Sequence, residues 1–334
     1  MDIKKIKLEL PVKDTMLFIS NSILDINVSS NTPKTKMFDK ISNAFSNKEN
    51  ILRLISLLSY DAYMKLEKIY TSYINNESVI KSFKENYSDE LVDSCLFVLE
   101  EIKYSDGSFE SLYKYSESVF DNLKYVFSSE GKAIAEKEYL FERVIKGILN
   151  TYGIIKKEYF VTFVNDYLDT DYNYDTLLDK IYSKLILNTF VERFTINWKN
   201  INESDDFISK IAYSEELGSL AESQKQLNFD YNYHDLDYIL KKAETPLDVE
   251  HKDIIDNIHN LNPNIDKKVI VNFIDEVIMG IKNATDIIKP IIENADEEKV
   301  EDLIDYLAYA HNELELYVLC GYSPNSLRDD KIVN

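Results

Sequence analysis

"EEIKYSDGSFESLYKY", residues 100 to 115, changes period within a chain that otherwise reads as helix. Polar and apolar residues alternate on both sides of Asp106-Gly107. Asp-Gly is the strongest short hairpin signal, because both residues tolerate the positive φ of a tight β-turn. The pattern predicts strands over 101–105 and 108–115. Helices precede it. In "SSNTPKTKMFDKISNAF" (29–45), Thr32 is placed to cap a helix and Pro33 to open it, where a missing N–H costs nothing. Met37, Ile41, Ala44 and Phe45 then recur at helical spacing. Further helices are predicted over 48–58, 62–74 and 89–101, the last burying Leu91, Cys95, Leu96, Val98 and Leu99. Helices followed by a hairpin is the layout of a winged helix, expected for 32–128 behind an N-terminal extension, 1–31.

The pattern repeats. "GKAIAEKEYLFERVIKGILNTYG" (131–153) reads as a long amphipathic helix closed by Gly153, and "KKEYFVTFVNDYL" and "YDTLLDKIYSKL" as two more around an Asp-rich turn. "TFVERFTINW" (189–198) and "DFISKIAY" (206–213) then read as strands, completing a second module over 129–213. Beyond Ser214, everything reads as acidic amphipathic helix. The last helix is expected from Glu297 to Leu319, capped by Asp296, with Val300, Leu303, Ile304, Leu307, His311, Leu314 and Val318 on one stripe. Gly321 would end it, with Pro324 preventing re-entry and Cys320 buried in its last turn. The expected fold class is mainly α with short β-hairpins (α+β): two tandem winged-helix-like modules followed by an acidic helical bundle, 214–334.

Composition agrees. Seven Gly and six Pro in 334 residues leave few turns, against averages of about 7% and 5%. Net charge is −21 and unevenly spread: residues 201–334 hold 29 acidic and 12 basic residues (−17), whereas the first sixty hold 6 and 9 (+3). Attraction to nucleic acid or anionic lipid is thereby excluded for the C-terminal part but not for the N-terminal part. The apolar run "MLFISNSIL" (16–24) is too short to span a bilayer. With two cysteines far apart, no disulfide framework is expected, and a reducing cytoplasm is the expected compartment.

Candidate chemistry is sparse. Asp169, Asp171, Asn173 and Asp175 match positions 1, 3, 5 and 7 of an EF-hand calcium loop, but Tyr174 replaces the turn glycine and Lys180 the bidentate Glu. A polar, helix-capping turn is the better reading. His251 and His259 lie about 12 Å apart along a helix, too far to share a metal. His234 neighbours Asp235 and Asp237 but lacks a fourth ligand, and His311 reads as a partly buried residue of the apolar stripe. Nucleophile elbow, phosphate-binding loop and dinucleotide fingerprint are all missing. No catalytic residue, cofactor or metal is expected.

Two stretches, "TYGIIKKEYF" (151–160) and "YAHNELELYVLCGYSPNSL" (309–327), resemble a loosely defined group of uncharacterised helical proteins from low-GC Gram-positive bacteria and their mobile elements. In that group a Tyr-Gly-apolar segment opens a middle helical module. An Asn-bearing helix leads into a Gly-His/Tyr-Thr/Ser-Pro-Asn-Glu-Leu run, and many members continue into a SEC-C zinc-binding tail. Tyr152, Gly153, Asn312, Gly321, Tyr322, Pro324 and Asn325 fit, while Ser326 departs from the usual acidic residue. No Cys follows Cys320, so no zinc tail is expected. The resemblance implies a fold and a genomic setting, and no reaction.

The functional expectation is a non-enzymatic interaction protein, a cytoplasmic regulatory or mobile-element accessory factor, with a basic protein as partner and no membrane. One alternative is a winged-helix regulator gripping nucleic acid through Lys34, Lys36, Lys40, Lys48 and Arg53, a use that the net charge disfavours. Another is an acidic DNA mimic directed against a defence enzyme.

Overall fold

The computed structural model describes residues 3–74, 90–114, 117–186, 207–209, 215–280, 284–293 and 295–329. It is mainly helical and divides into two compact units. Unit 1 comprises Met1–Glu142 with Asp175–Arg193, and unit 2 comprises Arg143–Tyr174 with Phe194–Asn334. Residues 129–213 thus contribute to both units, and 1–31 belongs to the first.

Unit 1 opens with β1 (Ile3–Glu9), followed by α1 (Lys13–Phe18), α2 (Lys34–Ala44), α3 (Lys48–Ile55), α4 (Tyr60–Ile74) and α5 (Glu90–Asp93). The hairpin β2 (Val98–Tyr104) and β3 (Phe109–Lys114) follows, then α6 (Glu117–Val126). The hairpin stands where Asp106-Gly107 placed it: Gly107 has φ +89°, and Asp106 Oδ1 accepts from the Ser108 N–H at 2.9 Å. Three expectations are corrected. First, 1–31 is more than an extension, since β1 pairs antiparallel with β2 and makes the sheet three-stranded, order β1-β2-β3. Second, the helix expected over 89–101 ends at Asp93. Cys95 takes a left-handed φ of +63°, the Phe97 N–H closes on the Leu91 carbonyl at 3.3 Å, and the alternating run beyond is claimed by ladders on both sides. Third, Pro33 is itself the cap of α2, with extended ψ of 143°, so Lys34 opens the helix and Thr32 does not cap it. The core gathers Met16, Met37, Ile41, Phe45, Ile51 and Leu123, all without exposed surface. Each such side chain contributes roughly 1.5–3 kcal/mol by leaving water.

α7 (Ser129–Tyr152) spans the boundary between the two units, and α9 (Tyr174–Ile186) falls almost wholly in unit 1. Within unit 1 the two helices are joined by a ladder. Glu138 and Glu142 stand one turn apart on α7, Lys180 and Lys184 one turn apart on α9. Lys184, 1% exposed, reaches Glu138 at 3.2 Å and Glu142 at 3.1 Å, while Lys180 reaches Glu138 at 2.9 Å.

In unit 2, Gly153 (φ +62°) closes α7 as expected, and β4 (Ile154–Lys156) and α8 (Lys157–Leu168) follow. β4 pairs antiparallel with β5 (Phe207–Ser209), Ile155 opposite Ile208. Residues 207–209 of the strand expected over 206–213 pair with β4; residues 189–198, the other half of the expected second hairpin, lie outside the described residues. Then come α10 (Glu215–Leu227), α11 (Leu236–Glu244), α12 (Leu247–Glu250), α13 (Lys252–Leu261), α14 (Lys267–Met279), α15 (Ala284–Ile292) and α16 (Val300–Glu313). Helices α13 to α16 each touch the next and α16 returns to α13, enclosing Ile258, Ile270, Ile274, Ile291 and Leu303.

The long last helix is also corrected. Asp296 precedes a 3-10 turn, α16 stops at Glu313, and a second 3-10 turn over Tyr317–Leu319 ends in a left-handed Cys320 (φ +55°). Cys320 is buried as expected, but Pro324 opens a new helix, α17 (Pro324–Asp329). His311 is exposed and Ile304 is 45% exposed, because the stripe turns off the buried face set by Leu303, Leu307 and Ala310.

Glu90 supplies a test of unit 1. Its Oε1 accepts from the Ser59 N–H at 2.5 Å and its Oε2 meets the Ser59 hydroxyl at 2.7 Å, at the start of α4. Burial, only partly offset by these bonds, raises its pKa from 4.5 to about 7. The folded state thus holds a proton that the unfolded chain releases, so stability falls as pH rises from 4.5 to about 7, by on the order of 3 kcal/mol. Glu90→Gln should flatten this part of the pH–stability curve and be more stable than the parent above neutrality, as measured by chemical denaturation.

Candidate functional site

The resemblance motifs meet at one place in unit 2, around the extended segment 231–234 preceding α11. Tyr152, at the end of α7, donates its hydroxyl to the Asn232 carbonyl at 2.6 Å. The Asn232 N–H donates to the Cys320 carbonyl at 3.0 Å and its amide Nδ2 to the Gly321 carbonyl at 3.3 Å. Asn232 therefore bridges the Tyr152-Gly153 corner and the Gly321-Tyr322 corner. Gly153 is required by contact as well as by its φ: a Cβ there would lie 2.0 Å from the Tyr317 ring. Buried Gln224 donates to the Tyr317 carbonyl at 2.5 Å and accepts from the Tyr231 hydroxyl at 2.7 Å. Tyr322 accepts from the Leu316 N–H at 3.0 Å, and Asn325 donates to Glu313 at 2.6 Å. Pro324 starts α17, while Asn312 is half-buried on α16.

Beside this junction stands a charge cluster. Lys242, one turn beyond Tyr238 on α11, lies 2.5 Å from Glu250 and 3.1 Å from Glu315. The Tyr238 hydroxyl donates to Glu315, and the His234 ring stacks on Tyr238 at 4.0 Å and 11°. His234 and His251 each stand 4.0 Å from a carboxylate, Glu315 and Glu250 respectively. Burial opposes the charge on Lys242, but Glu315 and Glu250 outweigh it and keep its pKa above the usual value. Burial, with Lys242 adding to it, holds both imidazoles below 6.5 against the pull of those carboxylates. The cluster at neutral pH is thus an ammonium between two carboxylates, flanked by neutral imidazoles. Burial pushes the Cys320 thiol up to about 11, which leaves it protonated and unreactive.

The sequence placed His234 beside Asp235 and Asp237. Asp235 instead caps α11 through the Tyr238 N–H at 2.8 Å, and the carboxylate facing His234 is Glu315. Lys242, Glu250 and Glu315 were missed altogether, being ordinary members of a crowd of 59 acidic and 38 basic residues. In the Asp-rich loop, Asp169 closes α8 with φ +51°, and Asn165 holds the turn by accepting from the Tyr172 N–H at 2.8 Å. Among the described residues no three His, Cys, Asp or Glu side chains gather closely enough to hold a metal ion. Of the nucleic-acid candidates, Lys34, Lys36 and Lys40 on α2 and Arg53 on α3 are exposed. Lys48 is engaged by Glu130 at 2.5 Å. No described helix is long and apolar enough to cross a membrane.

The chain matches no protein-family model, no curated protein and no solved structure.

The cluster predicts two outcomes. Lys242→Met leaves two partly buried carboxylates facing each other and should cost about 3–5 kcal/mol in chemical denaturation. Separately, the folded imidazoles bind protons less readily than the unfolded ones, so these two histidines contribute stability above about pH 6.5 that is lost on acidification. His234→Asn with His251→Asn should remove that component from a pH series of melting temperatures.

Proposed function

We propose that this chain is a non-enzymatic interaction protein whose acidic helical unit docks a basic protein partner. One observation carries the reading. Glu301, Ile304, Asp305, Ala308 and Tyr309 recur at helical spacing along α16, and all are exposed, Ile304 by 45% and Tyr309 by 53%. An apolar strip edged by carboxylates suits the apolar face of a basic amphipathic helix: burial supplies affinity, and charge supplies on-rate and selectivity. The excess of 29 acidic over 12 basic residues across 201–334 supports the same partner. The resemblance to mobile-element-associated proteins fits an accessory or regulatory role in the cytoplasm.

A second reading rests on the exposed Lys34, Lys36, Lys40 and Arg53. In it, residues 32–128 act as a winged-helix-like module with β2–β3 as its wing, and the chain contacts nucleic acid.

Affinity capture from native lysate, with and without nuclease, separates the two. A protein retained after nuclease, released by raised salt and lost in Ile304→Asp/Tyr309→Ala supports docking on α16. Retention of nucleic acid that depends on Lys34, Lys36 and Lys40 transfers the function to the second reading.

A further inference from the structure

The sheet of unit 1 has two faces. Leu99 lies in the buried core, whereas Ile102, three residues along β2 and hence on the opposite face, is buried outside it. The register sets Ile3, Ile6 and Leu8 opposite Tyr104, Ile102 and Glu100, an irregularity between Ile3 and Lys5 bringing Ile3 onto the same face. These three apolar residues are 55%, 51% and 56% exposed. β1 is also an outer strand, paired with β2 alone among the described residues, and the backbone donors and acceptors of its other edge have no partner among them. An apolar row along an outer strand is an adhesive feature that folds normally suppress.

The opposite face of β1 decides what can add to it. Lys5, Lys7 and Glu9 are all exposed there, two cations to one carboxylate, with Lys7 3.5 Å from Glu101. A second copy pairing antiparallel about Ile6 would set Lys5 against Lys7, and like charges directly opposite destabilise a ladder. A strand carrying carboxylates at those positions would be favoured, with apolar residues in alternation extending the row of Ile3, Ile6 and Leu8. We infer that β1 is a docking edge for an extended acidic–apolar segment of another protein, which adds a fourth strand to the sheet. This surface is independent of α16 and selects the opposite charge.

The test titrates the full chain with a labelled ten-residue peptide alternating valine and glutamate, and with its lysine-for-glutamate counterpart. The acidic peptide should bind about tenfold or more tightly than the basic one. Lys5→Glu/Lys7→Glu, which keeps the apolar row, should invert that order with the melting temperature little changed. Ile304→Asp/Tyr309→Ala should leave both affinities unaltered, so failure here and failure of α16 docking are told apart. Equal affinities, no saturable binding of the acidic peptide, or indifference to the lysine reversal would overturn the assignment. A concentration-dependent dimer abolished by Ile6→Lys would overturn it too, by showing that β1 pairs with its own copy.

Discussion

Lys184, its side chain only 1% exposed, reaches two carboxylates, Glu138 and Glu142, and a buried charge left without its partners costs several kcal/mol. That cost fixes the register of α9 against α7 within unit 1, because each helix presents its charges one turn apart. Shifting either helix by a single residue would strand a buried charge. Lys180 closes the ladder on Glu138 and holds its ammonium over the Phe141 ring, 4.4 Å from the centroid. Removing one member is therefore far costlier than its nominal ion-pair strength suggests, since the others remain desolvated.

Unit 2 solves a similar problem with backbone. Segment 231–234 belongs to no helix or strand, so its backbone groups need other partners: the Asn232 N–H donates to the Cys320 carbonyl, the Asn232 and His234 carbonyls accept from the Tyr152 and Tyr167 hydroxyls, and the Asn232 side chain adds a bond to Gly321. The aromatic residues act as hydroxyl donors set in an apolar surround, which is why burial raises the pKa of Tyr152 and Tyr167. The resemblance motifs are thus intelligible as architecture: a corner that admits the Tyr317 ring and a corner whose carbonyls Asn232 reads.

Local signals were legible where chemistry and neighbours agreed. Asp106-Gly107 announced its hairpin and Gly153 its helix end, each through a residue suited to its φ. The misreadings have separate causes. Cys95 takes a left-handed conformation without being Gly or Asn, so it did not advertise the end of α5, and α16 ends where Leu314 turns extended, with no Gly or Pro there to mark it. Leu91, Cys95, Leu96 and Leu99 fit a helical stripe equally well, and only the pairing of β2 with β1 and β3 overrides it. β1 escaped notice because "IKKIKLE" interrupts its alternation at Lys4, beside the irregularity in its ladder. The Lys242 cluster joins residues 77 positions apart, such as Tyr238 and Glu315, and no local pattern encodes that meeting.

Unit 1 is assembled from two stretches of chain, with 143–174 given over to the other unit between them. During synthesis, Glu138 and Glu142 emerge first, and Lys184 follows Glu142 by 42 residues. Until α9 has cleared the ribosome, the partner-facing side of α7 has no ammonium to neutralise it, and the unit cannot reach its final packing. The excursion imposes an order of events: the earlier stretch waits, open on one flank, for a helix encoded beyond the start of its neighbour.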